Sequence, residues 1–397
     1  MLLILTVLLI IIIRMYKKKG TTTSFIIIGF FVLSTILGIV YKRLYPNQVP
    51  DYSFFSMVYY VLCLVIFMIP LIHNNNDWRD YSFPKEFVNL FSVIIIVSGF
   101  IVLLSDIINF DVNRLNMSWL DQRNEYYFNY QDNIIYTKWY DRISSNVRHL
   151  MLFSLPLFYY HLCRGNKWYS ILMGIASMSI FAMSIMNASR QEFILWIVGA
   201  LYSYIFFKSG LSKKAIRGVN IFLIIFGSVA ILLVFAITLS RFGGSSSRDT
   251  FSSFLNYSGV QPYNAARFLE DLSPQAQWGL INFPYLRGSG AVKVINDYIE
   301  APYYLNVFGS LVGSFYLDFG YFTIFIVFIY ALMFDKLLSL YKRRNSFAYF
   351  YLFFIYCDII FSGLFYYRYI SSERIRILLF FFLVIIFYEQ FAKKRKI

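Results

Sequence analysis

The sequence predicts an all-α polytopic integral membrane protein, and three observations carry that reading. Hydrophobic residues make up 59% of the 397 positions and charged residues 14%, whereas a soluble domain carries roughly 25% charged residues. Apolar runs near the ~20 residues that a helix needs to cross hydrocarbon recur from end to end. Those runs are continuous, where the strands of a membrane β-barrel would alternate apolar and polar residues.

Read in order, the runs predict about eleven spans in a single membrane domain over 1–397. Span 1–14 is followed by Arg14 and Lys17–Lys19, the reverse of a cleavable signal peptide. Span 24–41 leads to Lys42 and Arg43, and span 53–72 to Arg79 and Lys85. Span 88–109 opens the first long loop, 110–147, after which 148–163 ends at Arg164 and Lys167. Span 168–187 leads to Arg190, and 191–207 to Lys208, Lys213, Lys214 and Arg217. Span 218–240 opens the second long loop, 241–307. Span 308–334 is followed by Lys336 and Lys342–Arg344, span 346–366 by Arg368, Arg374 and Arg376, and span 374–392 by Lys393–Lys396.

Alternate short connections therefore hold twenty basic residues on one side and six on the other. Lys and Arg collect in short cytoplasmic loops, so the rich side is cytoplasmic, the N-terminus outside and the C-terminus inside. Both long loops then face outward. The net charge of +15 is explained by these helix ends and by anionic lipid, not by nucleic acid. No nucleotide-binding glycine motif occurs, so chemistry on the outer face proceeds without a nucleotide. Cys63, Cys163 and Cys357 lie in or beside apolar runs and form neither a disulfide framework nor a metal spacing. No Cys/His cluster or paired-carboxylate site appears, and no metal or cofactor is implied.

The first loop alternates Trp119, Tyr126, Tyr127, Phe128, Tyr130, Tyr136, Trp139 and Tyr140 with amides and charges. That pattern serves either a platform for sugar rings or an aromatic belt at headgroup level. The second loop carries Arg241, Arg248, Arg267, Arg287 and Lys293 against five acidic residues. It is neutral overall, but it favours guanidinium, whose rigid fork matches phosphate oxygens. Further arginines, Arg148, Arg190, Arg368 and Arg374, stand at outer helix ends, with Asp106, Glu192, Asp318 and Asp358 in the outer parts of nearby spans. Ionisable groups in spans either line a functional cavity or pair with one another across helices. His149 serves as a general base or as a snorkelling interfacial side chain, while His73 and His161 fall at cytoplasmic span ends.

The span layout, the two long outer loops, "SRQEF" (189–193), "YNAARFLE" (263–270) and "GSFYLDFGYFTIFIVFIYALMF" (313–334) resemble the oligosaccharide repeat-unit polymerases, the Wzy or O-antigen polymerase group. The group's outer-loop R-x10-G pattern is matched once, by Arg248 and Gly259. The resemblance implies a GT-C-like bundle in a bacterial cytoplasmic membrane. It also implies an enzyme that joins undecaprenyl-diphosphate-linked repeat units into O-antigen, capsule or exopolysaccharide. A flippase and a chain-length regulator of the same pathway are implied partners.

In this reading an acceptor hydroxyl attacks the donor's anomeric carbon and lipid diphosphate leaves. Arg190, Arg241, Arg248, Arg267, Arg368 and Arg287 are the expected diphosphate ligands, and Tyr257 and Tyr263 the expected glycan contacts. Glu270, Asp318 and His149 are the candidate bases. Related ligases would use an outer-loop histidine, which the second long loop lacks. The competing readings are such a lipid-linked glycan ligase, another polyprenyl-phosphate-dependent glycosyltransferase, a flippase or transporter of lipid-linked glycan, and a non-catalytic scaffold. A transporter would line its whole path with charge and show an internal repeat.

Overall fold

The computed structural model of the chain describes residues 1–19, 22–49, 52–74, 83–109, 121, 138–186, 190–242, 250–271, 278–279, 282–283, 309–344, 346–365, 367–369 and 372–394. In chain order the helices are α1 (Leu2–Lys19), α2 (Thr23–Leu44), α3 (Phe54–His73), α4 (Lys85–Ile108), α5 (Trp139–Val147), α6 (Ser154–Cys163), α7 (Lys167–Met186) and α8 (Arg190–Phe207). They continue with α9 (Lys213–Phe242), α10 (Thr250–Gly259), α11 (Gln261–Asp271), α12 (Ser310–Phe319), α13 (Thr323–Arg343), α14 (Phe347–Ser362) and α15 (Ser372–Lys394). No strand occurs among the described residues.

Among the described residues, six helical stretches are long and apolar enough to cross a membrane: Thr23–Leu44, Phe54–His73, Lys85–Ile108, Glu192–Gly210, Lys213–Ile237 and Ser310–Arg343; Phe347–Ser362 is a shorter apolar helix. The chain is a multi-pass helical membrane protein. α9 displays the solvent it is built for, with Ile221, Ile224, Ile225, Ile231, Leu232 and Phe235 all exposed. Such a surface is stable against lipid tails and not against water.

Local structure is finer than the apolar runs predicted. The run 308–334 breaks at Gly320, whose φ of +54° is costly for any residue with a Cβ, and a 3-10 turn over Gly320–Phe322 joins α12 to α13. The run 148–163 opens as a 3-10 segment, Arg148–Phe153, before α6 begins. The stretch 241–307 contains α10 and α11, and the stretch 110–147 ends in α5. Residues 110–120, 122–137, 243–249, 272–277, 280–281 and 284–308 lie outside the described residues, and most of the first loop's aromatic series lies with them.

The chain divides into two compact units. The first comprises Met1–Asn75, Phe251–Arg344 and Ala348–Arg376. In it α3 lies along α13. The Tyr59 hydroxyl donates to the Tyr321 carbonyl at 2.9 Å and accepts the Ile324 N–H at 3.1 Å. The Tyr356 hydroxyl donates to the Phe67 carbonyl at 2.6 Å. One end of this unit is tied by Ser24 Oγ donating to the Leu71 carbonyl at 2.7 Å and by Tyr349 donating to the Asn74 carbonyl at 2.7 Å. There Asn74 Nδ2 donates to Asp335 at 3.0 Å, and His73 Nδ1 stands 3.3 Å from the same carboxylate.

The second unit comprises Asn76–Thr250, Asn345–Phe347 and Ile377–Ile397. Its α4 and α7 cross at Gly99, where an added Cβ would stand 2.5 Å from the Ala176 Cβ. Small residues at such crossings let helices approach where lipid supplies no hydrophobic drive. Trp196 on α8 donates to Ser177 Oγ at 3.3 Å and meets Phe181 edge-on with ring centroids 4.7 Å apart. Buried His161 stands 2.7 Å from Ser92 Oγ, a satisfied core histidine. Glu389 accepts the Ser346 hydroxyl and, at 2.6 Å, the Phe347 N–H, placing an anion at the N-terminus of α14.

Candidate functional site

The polar stretch that stands out in the sequence folds in part as α11. Gln261 and Pro262 occupy its first turn, where proline's missing N–H costs nothing. Ala265, Ala266, Phe268 and Leu269 are buried. Tyr263, Arg267 and Glu270 recur at i, i+4 and i+7 and so share one stripe of the helix. Tyr263 is buried, Arg267 half-buried and Glu270 exposed, so the stripe runs from the packed interior outward.

Two sets of glycine contacts fix the end of α10 and α11 after it. An added Cβ on Gly38 of α2 would meet the Gly259 carbonyl oxygen, and one on Gly259 would meet the Gly38 backbone. This backbone approach lets Ser34 Oγ donate to the Ser258 carbonyl at 2.6 Å and the Tyr263 hydroxyl donate to the Gly38 carbonyl at 3.3 Å. On another side, the Phe268 ring packs against Gly309 and Gly313, leaving no room there for side chains. Tyr316 of α12 donates to the Leu269 carbonyl at 3.4 Å.

One end of this cluster is a cationic and aromatic rim. Lys42 and Arg43 lie in the last turn of α2, where positive charge complements the helix dipole. The Lys42 ammonium stands 4.9 Å from the Tyr52 ring centroid and 5.7 Å from that of Tyr263. The two rings are 5.4 Å apart and inclined at 57°. Burial, with Tyr52 nearby, holds the Tyr263 phenol above its ordinary pKa, so it stays a neutral donor. An open cavity of ≈ 570 Å³ adjoins these groups, with Leu3, Ile39, Phe54 and Met57 among its lining residues.

Glu270 is tied to the same place. Ser53 caps α3 by accepting the Ser56 N–H at 3.1 Å, and the backbone N–H of Ser53 itself donates to Glu270 Oε1. In a capping box that last bond comes from the helix's own third residue. Here position 56 is a serine, and the carboxylate arrives from α11, 217 residues away in sequence.

Asp318 is fully buried on α12. Its Oδ1 accepts the Gly279 N–H at 2.9 Å and its Oδ2 the Asn282 N–H at 2.8 Å, while its carbonyl accepts the Trp278 N–H at 3.0 Å. Asn282 Nδ2 returns to the Ser314 carbonyl at 2.8 Å, and Ser314 Oγ accepts the Tyr367 N–H at 3.1 Å. Asp318 is thus an anchor for the segment around 278–283, with both oxygens already accepting. Half-buried Arg368 follows Tyr367 directly.

The expected site residues therefore separate. Tyr263, Arg267 and Glu270 share the α11 stripe. Tyr257 on α10 lies in the same unit, half-buried, its ring 6.1 Å from that of Phe365, and Asp318 and Arg368 belong to that unit as well. His149, Arg190 and Arg241 belong to the other unit. His149 is half-buried beside Arg148, whose guanidinium pairs with Asp106 at 2.6 Å. The side chains of Arg190 and Arg241, and all of Arg248 and Arg287, lie outside the described residues. Asp358 is engaged by the Tyr369 hydroxyl at 2.9 Å. Lys42, Tyr52 and Ser53 were not among the expected site residues. Their signal is the compact polar stretch "YKRLYPNQVPDYS" between two apolar runs. Among the described residues, no three His, Cys, Asp or Glu side chains are grouped to hold a metal.

Comparison with protein-family models, with curated proteins and with solved structures gave no match.

Proposed function

We propose that this protein is a metal-independent glycosyltransferase of the membrane's outer face, joining polyprenyl-diphosphate-linked oligosaccharide repeat units into a surface polysaccharide. One observation carries the reading: the α11 stripe brings Tyr263 to an open cavity with Lys42 and Tyr52, bonds the Glu270 carboxylate to Ser53 next to Tyr52, and carries Arg267 between the two.

In this mechanism the acceptor's hydroxyl oxygen forms a bond to the donor's anomeric carbon. The bond from that carbon to the diphosphate oxygen breaks, and polyprenyl diphosphate leaves with the electron pair. The hydroxyl proton passes to Glu270. Its carboxylate is oriented by the Ser53 N–H, which makes it the preferred base over Asp318, whose oxygens accept backbone N–H groups. Arg267, Lys42 and Arg43 neutralise the departing diphosphate, so guanidinium and ammonium do what a bound cation does elsewhere. Half-buried Tyr52 offers a ring face to the C–H face of a sugar, with buried Tyr263 supporting it.

The test is polymer length. Glu270→Gln, Arg267→Ala and Lys42→Ala, produced at wild-type membrane levels in cells that need this chain for polymer, should leave single repeat units on the lipid. Wild-type ladders from all three variants overturn the proposal. Purified protein that moves lipid-linked units across a vesicle membrane without lengthening them replaces it with a transporter.

A further inference from the structure

α5 is an amphipathic helix turned inside out. Its protein-facing side is polar: Asp141 and Ser144 are buried, and Asp141 Oδ1 accepts the Ser105 hydroxyl at 2.9 Å and Asn109 Nδ2 at 2.6 Å. The opposite side carries Trp139, Arg142, Ile143 and Asn146 at i, i+3, i+4 and i+7, and all four are exposed. Trp139 is 74% exposed. A helix on the surface of a water-soluble protein buries its apolar stripe and shows its polar one to solvent. α5 does the reverse: a buried carboxylate is the informative sign, and a tryptophan and an isoleucine are left outside. What lies against them follows from where α5 is docked. Ser105 is in the last turn of α4 and Asn109 is its C-cap, and α4 is long and apolar enough to cross a membrane. At that same level Leu104, Ile107 and Ile108 of α4 are exposed, Ile107 by 66%, a surface stable against lipid tails and not against water. α5 therefore sits where hydrocarbon gives way to headgroups, the level that tryptophan prefers. Lys138 and Arg142, four residues apart and both exposed, form a cationic row beside Trp139 and Ile143.

We propose that α5 lies in the surface of the bilayer, with Trp139 and Ile143 among the first acyl carbons and Lys138 and Arg142 at the headgroup phosphates of bilayer phospholipid. The sequence leaves Trp139 open between a sugar platform and an interfacial anchor, and this placement makes it an anchor. Its polar side is held by α4 through Asp141, so the helix is fixed to the protein by hydrogen bonds and to the membrane by its apolar side. The chain then leaves the membrane at Asn109 and returns to its surface at Lys138. The placement holds whatever reaction the protein performs.

The experiment measures depth in a bilayer. The full chain, with Cys63, Cys163 and Cys357 replaced by serine or alanine, is placed in nanodiscs of phosphatidylcholine and phosphatidylglycerol. A nitroxide is attached to one new cysteine per protein, Trp139→Cys, Ile143→Cys, Ile107→Cys or Asn47→Cys, all at exposed positions whose replacement leaves the packed faces intact. Its collisions with oxygen, which concentrates in hydrocarbon, are compared with its collisions with a water-soluble nickel chelate. The oxygen-to-nickel ratio at 139 and 143 should approach that at 107 and exceed that at 47, in the turn between α2 and α3, by about ten-fold. Lys138→Gln/Arg142→Gln should lower the ratio at 143 by about two-fold or more, since each cation near an anionic surface contributes to holding the helix there. Ratios at 139 and 143 equal to that at 47 overturn the proposal. If maltohexaose then shields both positions from the chelate, this side of α5 binds sugar instead. A ratio at 143 unchanged by the double glutamine variant overturns the headgroup contact of Lys138 and Arg142.

Discussion

Glu270 of α11 accepts the backbone N–H of Ser53, the residue that caps α3. One carboxylate thus completes the start of a membrane-crossing helix, next in sequence to Tyr52 of the cavity lining. Its structural and chemical contributions separate by isostere. Glu270→Gln keeps an acceptor oxygen for the Ser53 N–H, so thermal unfolding in detergent should move little. Polymerisation should fall by about 10²–10⁴, the usual contribution of a positioned base. Glu270→Ala removes the acceptor as well and should lower stability by roughly 1 kcal/mol. Full activity in the glutamine variant assigns Glu270 to capping alone.

The contact between Gly38 and Gly259 predicts a sharp contrast along one helix. A methyl group at Gly38 enters the Gly259 backbone, and overpacking of this kind costs about 1–3 kcal/mol. Gly29 lies on the same helix, and a Cβ there meets nothing within 4 Å. Gly29→Ala should therefore be neutral, or stabilising by about 0.5–1 kcal/mol through backbone entropy. Unfolding temperatures of the two alanine variants in one detergent decide the matter. Equal effects would mean that the end of α10 does not close on α2 in this way.

Asp318 bears on the choice of base. Asp318→Ala leaves the N–H groups of Gly279 and Asn282 without their acceptor, each worth roughly 1–3 kcal/mol when buried. Limited proteolysis should then cut near 278–283 at rates the wild type resists. Asp318→Asn keeps one acceptor and should give an intermediate cutting rate. A normally protected asparagine variant that makes no polymer would instead move Asp318 from anchor to base.

The apolar runs were legible because lipid imposes one strong rule, about 20 apolar residues per crossing, on each helix separately. α2, α3 and α4 were placed within a few residues on that rule. α10 and α11 were not, because no such rule acts on a polar stretch. The burial of Ala265, Phe268 and Leu269 is set by Gly38, Gly309 and Gly313, which are distant in sequence. The rim was hidden for the same reason. Lys42 and Tyr52 are ordinary interface residues until α11 places Tyr263 beside them. Glu270 and Arg267 stood out in the sequence by residue type, being unusual beside apolar spans, but their neighbours did not. The anchoring of Asp318 by backbone amides leaves no trace in composition.

Arg148 and Asp106 test the structural use of charge in the second unit. Their 2.6 Å pair joins the start of the 3-10 segment to α4, and Asp106 is buried. Arg148→Met strands that carboxylate and should cost about 3–5 kcal/mol, whereas the double variant Arg148→Met/Asp106→Leu should recover much of the loss. A double variant as unstable as the single one would show that Asp106 is held by other groups.

The sidedness on which the chemistry depends has a direct test in the first unit. Cys63 and Cys357 are buried and Cys163 is partly buried, so replacing all three by serine or alanine gives a quiet background for labelling. Asn47, in the turn between α2 and α3, and Arg344, just past α13, are both exposed. The excess of basic residues in alternate connections predicts Asn47 outside and Arg344 in the cytoplasm. A membrane-impermeant maleimide should therefore label Asn47→Cys in intact cells and Arg344→Cys only after permeabilisation. The opposite pattern would put Lys42, Glu270 and the cavity on the cytoplasmic face, away from the repeat units presented outside, and the glycosyltransferase proposal would fall with it.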